Sequence, residues 1–206
     1  MNKKRRIIAA AALLVALLTL LAVPAGAVKS YQTYTYSSTG FPLYSPDAYT
    51  PVMTVDSAYI GLDSKKGLDD PRDLFVDDQD NIYIADAANN RIVVLDRYYK
   101  LKFIISDFTN EQGVPDKFTN PSGVFVTKDR IFVCDTDANR IITFDREGNF
   151  LTIIPEPEDE ILDDDSVYKP IALAVDDYNR LYVVSSTTYQ GIIVMSDTGE
   201  FICIMG

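Results

Sequence analysis

Three stretches of the chain repeat one strand pattern: PRDLFVDDQDNIYIADAANNRIVVLD at 71–96, PSGVFVTKDRIFVCDTDANRIITFD at 121–145 and PIALAVDDYNRLYVVSSTTYQGIIVMSD at 170–197. A unit of this kind buries its apolar faces only against neighbouring units, so the repeat fixes architecture before any side chain can be argued as a site.

Each unit divides into short strands. In the first, residues 73–77 form an inner strand, 81–85 alternate, 91–95 are β-branched and apolar, and 100–105 close the set. Four strands in about 35 residues with polar turns between them predict an antiparallel meander. The turns at 77–81 (DDQDN) and 146–149 (REGN) supply Asp, Asn and Gly, which tolerate hairpin geometry.

Residues 131–145 repeat 82–96 at an offset of 49, so that Ile82 becomes Ile131, Asp86 becomes Asp135 and Asn90-Arg91 becomes Asn139-Arg140. The third unit keeps the apolar pattern but has Ser185 in place of the aspartate and Gln190-Gly191 in place of Asn-Arg. Apolar positions are therefore what the architecture demands, and the polar ones are a local option. Units of this period predict an all-β fold, a β-propeller of four-stranded antiparallel blades. Two-residue periodicity excludes helical repeats, and a straight β-solenoid has shorter, parallel coils.

The blades fall at about 67–107, 118–154 and 168–206. Three blades make a partial ring, expected to belong to a six-bladed one, since closed rings take about four to eight. An open arc exposes an apolar face at each end. Self-association, additional blades from a longer chain, or a truncated nonfunctional product are the expectations that follow. Ahead of the blades, 28–66 form a Tyr/Pro-rich leader in which 51–55 read as a lone strand able to close a ring.

Residues 1–27 read as an export signal: Lys3, Lys4, Arg5 and Arg6, an apolar run from Ile7 to Val23, then Ala25-Gly26-Ala27. An uncleaved membrane anchor is the alternative, although this run is shorter than the roughly 20 residues of a comfortable span. Either way the rest is expected to be secreted or held at the cell surface. The formal net charge of −11 becomes −15 once those four cations are removed. So acidic a surface disfavours nucleic acid. Histidine is absent, which excludes Ser-His-Asp chemistry and His-ligated zinc within this chain. Cys134 and Cys203 sit at apolar strand positions of different units and read as free, buried thiols.

The run FVDDQDNIYIADAANNRI resembles the NHL repeat, and the resemblance extends over 71–206, strongest in the first two units. Residues 31–50, with SPDAY, resemble the leader of exported bacterial proteins of this kind. The resemblance implies a β-propeller whose relatives bind ligands and proteins, hydrolyse lactones or cleave amidated peptides. It speaks to fold far more than to function.

With four strands per blade, the turns between second and third strands and the interblade loops 106–120 and 155–169 open on one face, the default ligand face. Asp86, Asn89, Asn90, Arg91, Asp135, Asn139 and Arg140 lie there. They read either as turn caps and ion pairs or as oriented polar groups for a carbohydrate or peptide. Glu156, Glu158, Asp159, Glu160, Asp163, Asp164 and Asp165 crowd one loop, read as a solvated acidic segment, a calcium chelate or a dock for a basic partner. Asp73 begins the first inner strand where Gly123 and Ala172 stand in the others. Resemblance to propeller lactonases implies that such a carboxylate can hold a divalent cation in the axial channel and activate water.

Two functions follow as expectations. One is a non-enzymatic binding or scaffold module for an extracellular glycan or protein, with no cofactor. The other is a metal-dependent hydrolase or lyase using the axial channel, with calcium or another divalent cation at Asp73.

Overall fold

The computed structural model describes residues 33–45, 53–63, 67–158, 167–187 and 191–206. The chain divides into two units, at 1–54 and 55–206. The export-signal reading falls on 1–27, outside the described residues. Among the described residues no helix is long and apolar enough to cross a membrane.

In the first unit β1 (Thr33–Tyr36) pairs antiparallel with β2 (Pro42–Ser45), in the register Thr33 with Ser45 and Tyr36 with Pro42. Gly40 takes φ +82° in the connecting turn, a conformation that favours glycine.

The second unit opens on a single helical turn, α1 (Ser57–Ile60), whose first turn is capped by Asp56 accepting from the Tyr59 N–H at 2.7 Å. Of the lone strand expected at 51–55, the described residues 53–55 carry no strand. Val55 instead packs with Ile60 and Leu62 against Val93 and Leu95.

Three four-stranded antiparallel meanders follow. Blade one is β3 (Pro71–Val76), β4 (Ile82–Asp86), β5 (Arg91–Leu95) and β6 (Leu101–Ile105). A small hairpin, β7 (Asp107–Thr109) and β8 (Pro115–Lys117), leads to blade two. That blade is β9 (Pro121–Val126), β10 (Arg130–Asp135), β11 (Arg140–Asp145) and β12 (Phe150–Ile154). Blade three is β13 (Pro170–Val175), β14 (Leu181–Ser185), β15 (Ile192–Met195) and β16 (Phe201–Met205). The four strands of each blade are called A to D below. Every A strand begins with proline, a position where the missing N–H costs the sheet least.

The second blade shows why its strands read as nearly continuous apolar runs. Successive side chains of a strand point to opposite faces. Ile131 and Val133 meet Tyr83, Ala85, Ile92 and Val94 of blade one. Phe132 and Cys134, one residue out of step, meet Leu181, Val183, Ile193 and Met195 of blade three. Both faces are core.

The loop expected at 106–120 contains β7 and β8, which the sequence reading did not resolve. Its purpose is packing: Phe108 lies 5.6 Å from fully buried Phe118 and stacks on Phe150 at 5.3 Å. The turns at the opposite end close on carboxylates. Asp77, Asp96, Asp145 and Asp176 each accept from the N–H groups two and four residues on, at 2.8–3.0 Å.

Candidate functional site

The inner strands end on two faces, and they differ in how their polar groups are used. One face carries the B–C turns and the segments entering each blade. The other carries the A–B and C–D turns.

On the first face, the Asp and Arg of the repeat are drawn into clamps. Asp86 is fully buried, accepting from the Asp69 N–H at 2.7 Å, Arg91 Nε at 2.6 Å and Asn89 Nδ2 at 3.0 Å. Asn89 and Arg91 also donate to the Gly67 carbonyl, at 2.8 and 3.0 Å. In blade two, buried Asp135 accepts from the Thr119 N–H and from Arg140 Nε, at 2.5 and 2.9 Å. Arg140 reaches on to both oxygens of Asp116, at 2.8 and 3.0 Å. In blade three Ser185 Oγ accepts the equivalent N–H, from Lys169, at 3.0 Å. One acceptor at the end of each B strand therefore ties down the chain entering that blade.

The asparagines at the C-terminal side of these turns reach further. Asn90 and Asn139 take left-handed φ values of 51° and 56°. Asn90 Oδ1 accepts from the Asn120 N–H at 2.8 Å, in the segment entering blade two. The Asn139 amide, in the orientation its neighbours favour, donates to the Tyr168 carbonyl at 2.9 Å, in the segment entering blade three.

Burial pushes the Asp135 carboxyl upward, opposed by the Thr119 N–H and by Arg140. The half-buried partner behaves in the opposite sense: the Arg140 fork holds Asp116 down to about 2.

Asp73 also has internal partners. Its Oδ1 accepts from the Leu74 N–H and its Oδ2 from the Val124 N–H of blade two, both at 2.9 Å. It therefore bridges two inner strands. At the next junction the counterpart is Gly123, where a Cβ would stand 2.7 Å from the Ile171 carbonyl, so these strands approach directly. Among the described residues no three His, Cys, Asp or Glu side chains gather as metal ligands do. Glu156 and Glu158 are exposed, while Asp159, Glu160, Asp163, Asp164 and Asp165 lie outside the described residues. Cys134 is buried and burial pushes its thiol up, whereas Cys203, expected to be buried, is exposed on the outward side of blade three.

The second face holds a groove of about 580 Å³ between the A–B turns of the three blades. Its apolar lining is Phe75, Val76, Phe125, Val126 and Val175, with the two rings 4.8 Å apart. Asp78, Lys128, Asp129 and Asp177 also line it, and among the described residues none of them makes an ion pair or hydrogen bond. Beside them Arg146 is committed to Asp77, across the blade junction. Asp77 also accepts from Asn81 Nδ2 at 2.9 Å and from the Tyr83 hydroxyl at 3.2 Å. Burial raises the Asp77 carboxyl, but these donors and the turn N–H groups outweigh it and hold the group below the ordinary carboxylate range. Tyr83 responds in kind, pushed up to about 12, chiefly by burial.

The sequence reading missed this groove. Its one signal is that positions 78, 128 and 177 carry Asp, Lys and Asp, so charge varies where the architecture repeats.

Comparison with known proteins agrees with this geometry. Residues 68–95, the end of the incoming segment and the first three strands of blade one, match the NHL repeat family model. The chain thus carries an NHL repeat within an array of four-stranded blades of the β-propeller class. A candidate exported protein from Bacteroides fragilis matches with a TM-score of 0.50 at 12% identity, over 67% of this chain and 38% of that one. Virginiamycin B lyase from Staphylococcus aureus matches with a TM-score of 0.43 at 13% identity, over 84% and 48%. Hydrazine synthase from Kuenenia stuttgartiensis matches with a TM-score of 0.48 at 14% identity, over 64% and 34%. The chain thus spans between a third and a half of the length of these solved structures. At such identities the likeness concerns fold. No curated protein matches in sequence.

Proposed function

We propose that the protein is a binding or scaffold module, exported and acting at or outside the cell surface, that holds a glycan or a protein segment in the groove between its A–B turns. One observation carries this reading. The aspartates and arginines that repeat from blade to blade are engaged within the protein, while the charges that vary line an apolar groove and, among the described residues, have no ion-pair or hydrogen-bond partner. A concave apolar surface with a few oriented polar groups is what ligand recognition requires. Asp78, Asp129 and Asp177 together with Lys128 suit a ligand with both hydroxyl or amide donors and at least one acceptor.

Isothermal titration against cell-wall glycans and secreted-protein fractions tests the reading. Heat is expected with one class, weakened by Phe125→Ala and by Lys128→Glu. Folded protein that gives no heat with either class, or heat indifferent to both substitutions, would overturn it.

A further inference from the structure

The groove adjoins a second, polar pocket of about 210 Å³ at the junction of blades one and two, and Asp78 and Lys128 line both spaces. Lys102 and Glu147 add to the charged wall of this pocket, and Arg146 there is committed to Asp77. Lys102 donates to the Asn81 amide oxygen at 3.0 Å. Among the described residues no carboxylate pairs with Lys102 or Lys128, and the side chains of Asp78 and Glu147 have no partner. Two ammonium groups and two carboxylates therefore line one small space that no ion pair closes.

On the side toward blade three the groove has one sign. Asp129 and Asp177, on the A–B turns of blades two and three, line the groove but not the pocket. The cation beside them is already engaged: Arg130 donates to Asp197 at 2.8 Å and to Asn179 at 3.1 Å. In the apolar lining, the Phe75 and Phe125 rings are inclined to each other at 58°. Rings so inclined make a notch for a single apolar side chain, not the flat platform on which a sugar ring stacks.

These features select among ligands. A neutral glycan brings hydroxyl groups but no charge to a site lined by lone ions. An acidic residue of a peptide brings the pocket both groups it lacks, a side-chain carboxylate for Lys102 and Lys128 and main-chain N–H groups for Asp78 and Glu147. A basic residue complements Asp129 and Asp177. Every lining residue belongs to blades one to three, so the match is independent of whatever adjoins them.

We propose that the groove and its polar pocket together bind a peptide segment in which an apolar residue separates an acidic residue from a basic one. The acidic residue sits in the pocket, the apolar one in the notch, and the basic one at Asp129 and Asp177. The assignment rests on the groove being the binding site, and it selects a protein segment over a glycan.

An array of acetylated, amidated heptapeptides tests this, with leucine or phenylalanine at the centre and Asp, Lys or Ala on either flank, probed with the labelled full chain. Isothermal titration then measures the affinities. Peptides with an acid on one flank and a base on the other are expected to bind roughly tenfold tighter than those with two acids, two bases or two alanines, and to weaken with added salt. Lys128→Glu should shift the preference on one flank from acid to base, and Asp177→Lys should shift the other flank from base to acid. Both positions are exposed, and an unchanged circular dichroism spectrum checks that each variant folds. Chitohexaose or cellohexaose bound in a manner sensitive to Phe125→Ala, with no heptapeptide bound, would overturn the peptide assignment and leave the groove as the site. Silence from both the peptides and these glycans also overturns it, and the titrations against cell-wall glycans and secreted proteins then decide the groove itself. So does peptide binding that shows no preference for opposite flanks or is indifferent to both charge reversals.

Discussion

Arg146 of blade two donates to the Asp77 carboxylate of blade one, joining two turns that lie 69 residues apart in the chain. The Asp77 side chain is almost wholly buried, so this ion pair belongs to the junction rather than to the surface. Removing one partner of a buried pair leaves the other desolvated without compensation. Arg146→Met is expected to cost about 3 kcal/mol, the lower end for such a break. Urea unfolding midpoints of the two proteins measure it.

The clamps at the ends of the B strands predict a graded series. Asp86→Ala and Asp135→Ala each remove a buried carboxylate that accepts both from the entering segment's N–H and from an arginine, and should cost about 2–3 kcal/mol. Ser185→Ala removes one neutral acceptor from the Lys169 N–H and should cost about 1 kcal/mol. Equal losses at the three positions in chemical denaturation would show that charge is not what distinguishes the clamps.

Gly123→Ala tests how closely blades two and three approach. The added methyl would meet the Ile171 carbonyl at 2.7 Å and the Ala172 Cα and Cys134 Sγ at 3.1 Å, none of them at the end of a flexible side chain. Overpacking of this kind typically costs about 1–3 kcal/mol. The thermal midpoint should fall, and added thiol reagent should reach Cys134 faster as the junction loosens.

Acid should weaken the protein partly through Asp116. Its carboxyl lies at about 2 in the folded state against 3.8 ordinarily, held down first by Arg140, so the unfolded chain takes up the proton more readily. The stability it contributes is complete above pH 4 and is lost as pH falls through 2. With solvent screening this amounts to about 1 kcal/mol. Unfolding midpoints at pH 5 and pH 2.5 should differ less in Asp116→Asn than in the unaltered protein.

Blades one and two were legible because Ile131-Phe132-Val133-Cys134 and its counterparts must be apolar on both sides, which leaves a dense periodic signal. The hairpin around Phe108 and Phe118 was not, since its two rings are separated by polar NEQG and follow no period. The clamps were half legible. Asp86 and Asp135 announce themselves by repetition, but they are met by the N–H groups of Asp69 and Thr119, and main-chain donors have no letter of their own. The groove was hidden for a related reason: it is lined by Asp78, Lys128 and Asp177, and a search for repeated polar residues passes over positions that vary.

The exchange of sign between Arg146 with Asp77 and Asp197 with Arg130 makes the modules non-interchangeable. Excising the middle one would bring Asp197 down on Asp77, acid on acid, so a chain shortened by one module would carry a mismatched seam. Serial order is thus written into the seams themselves.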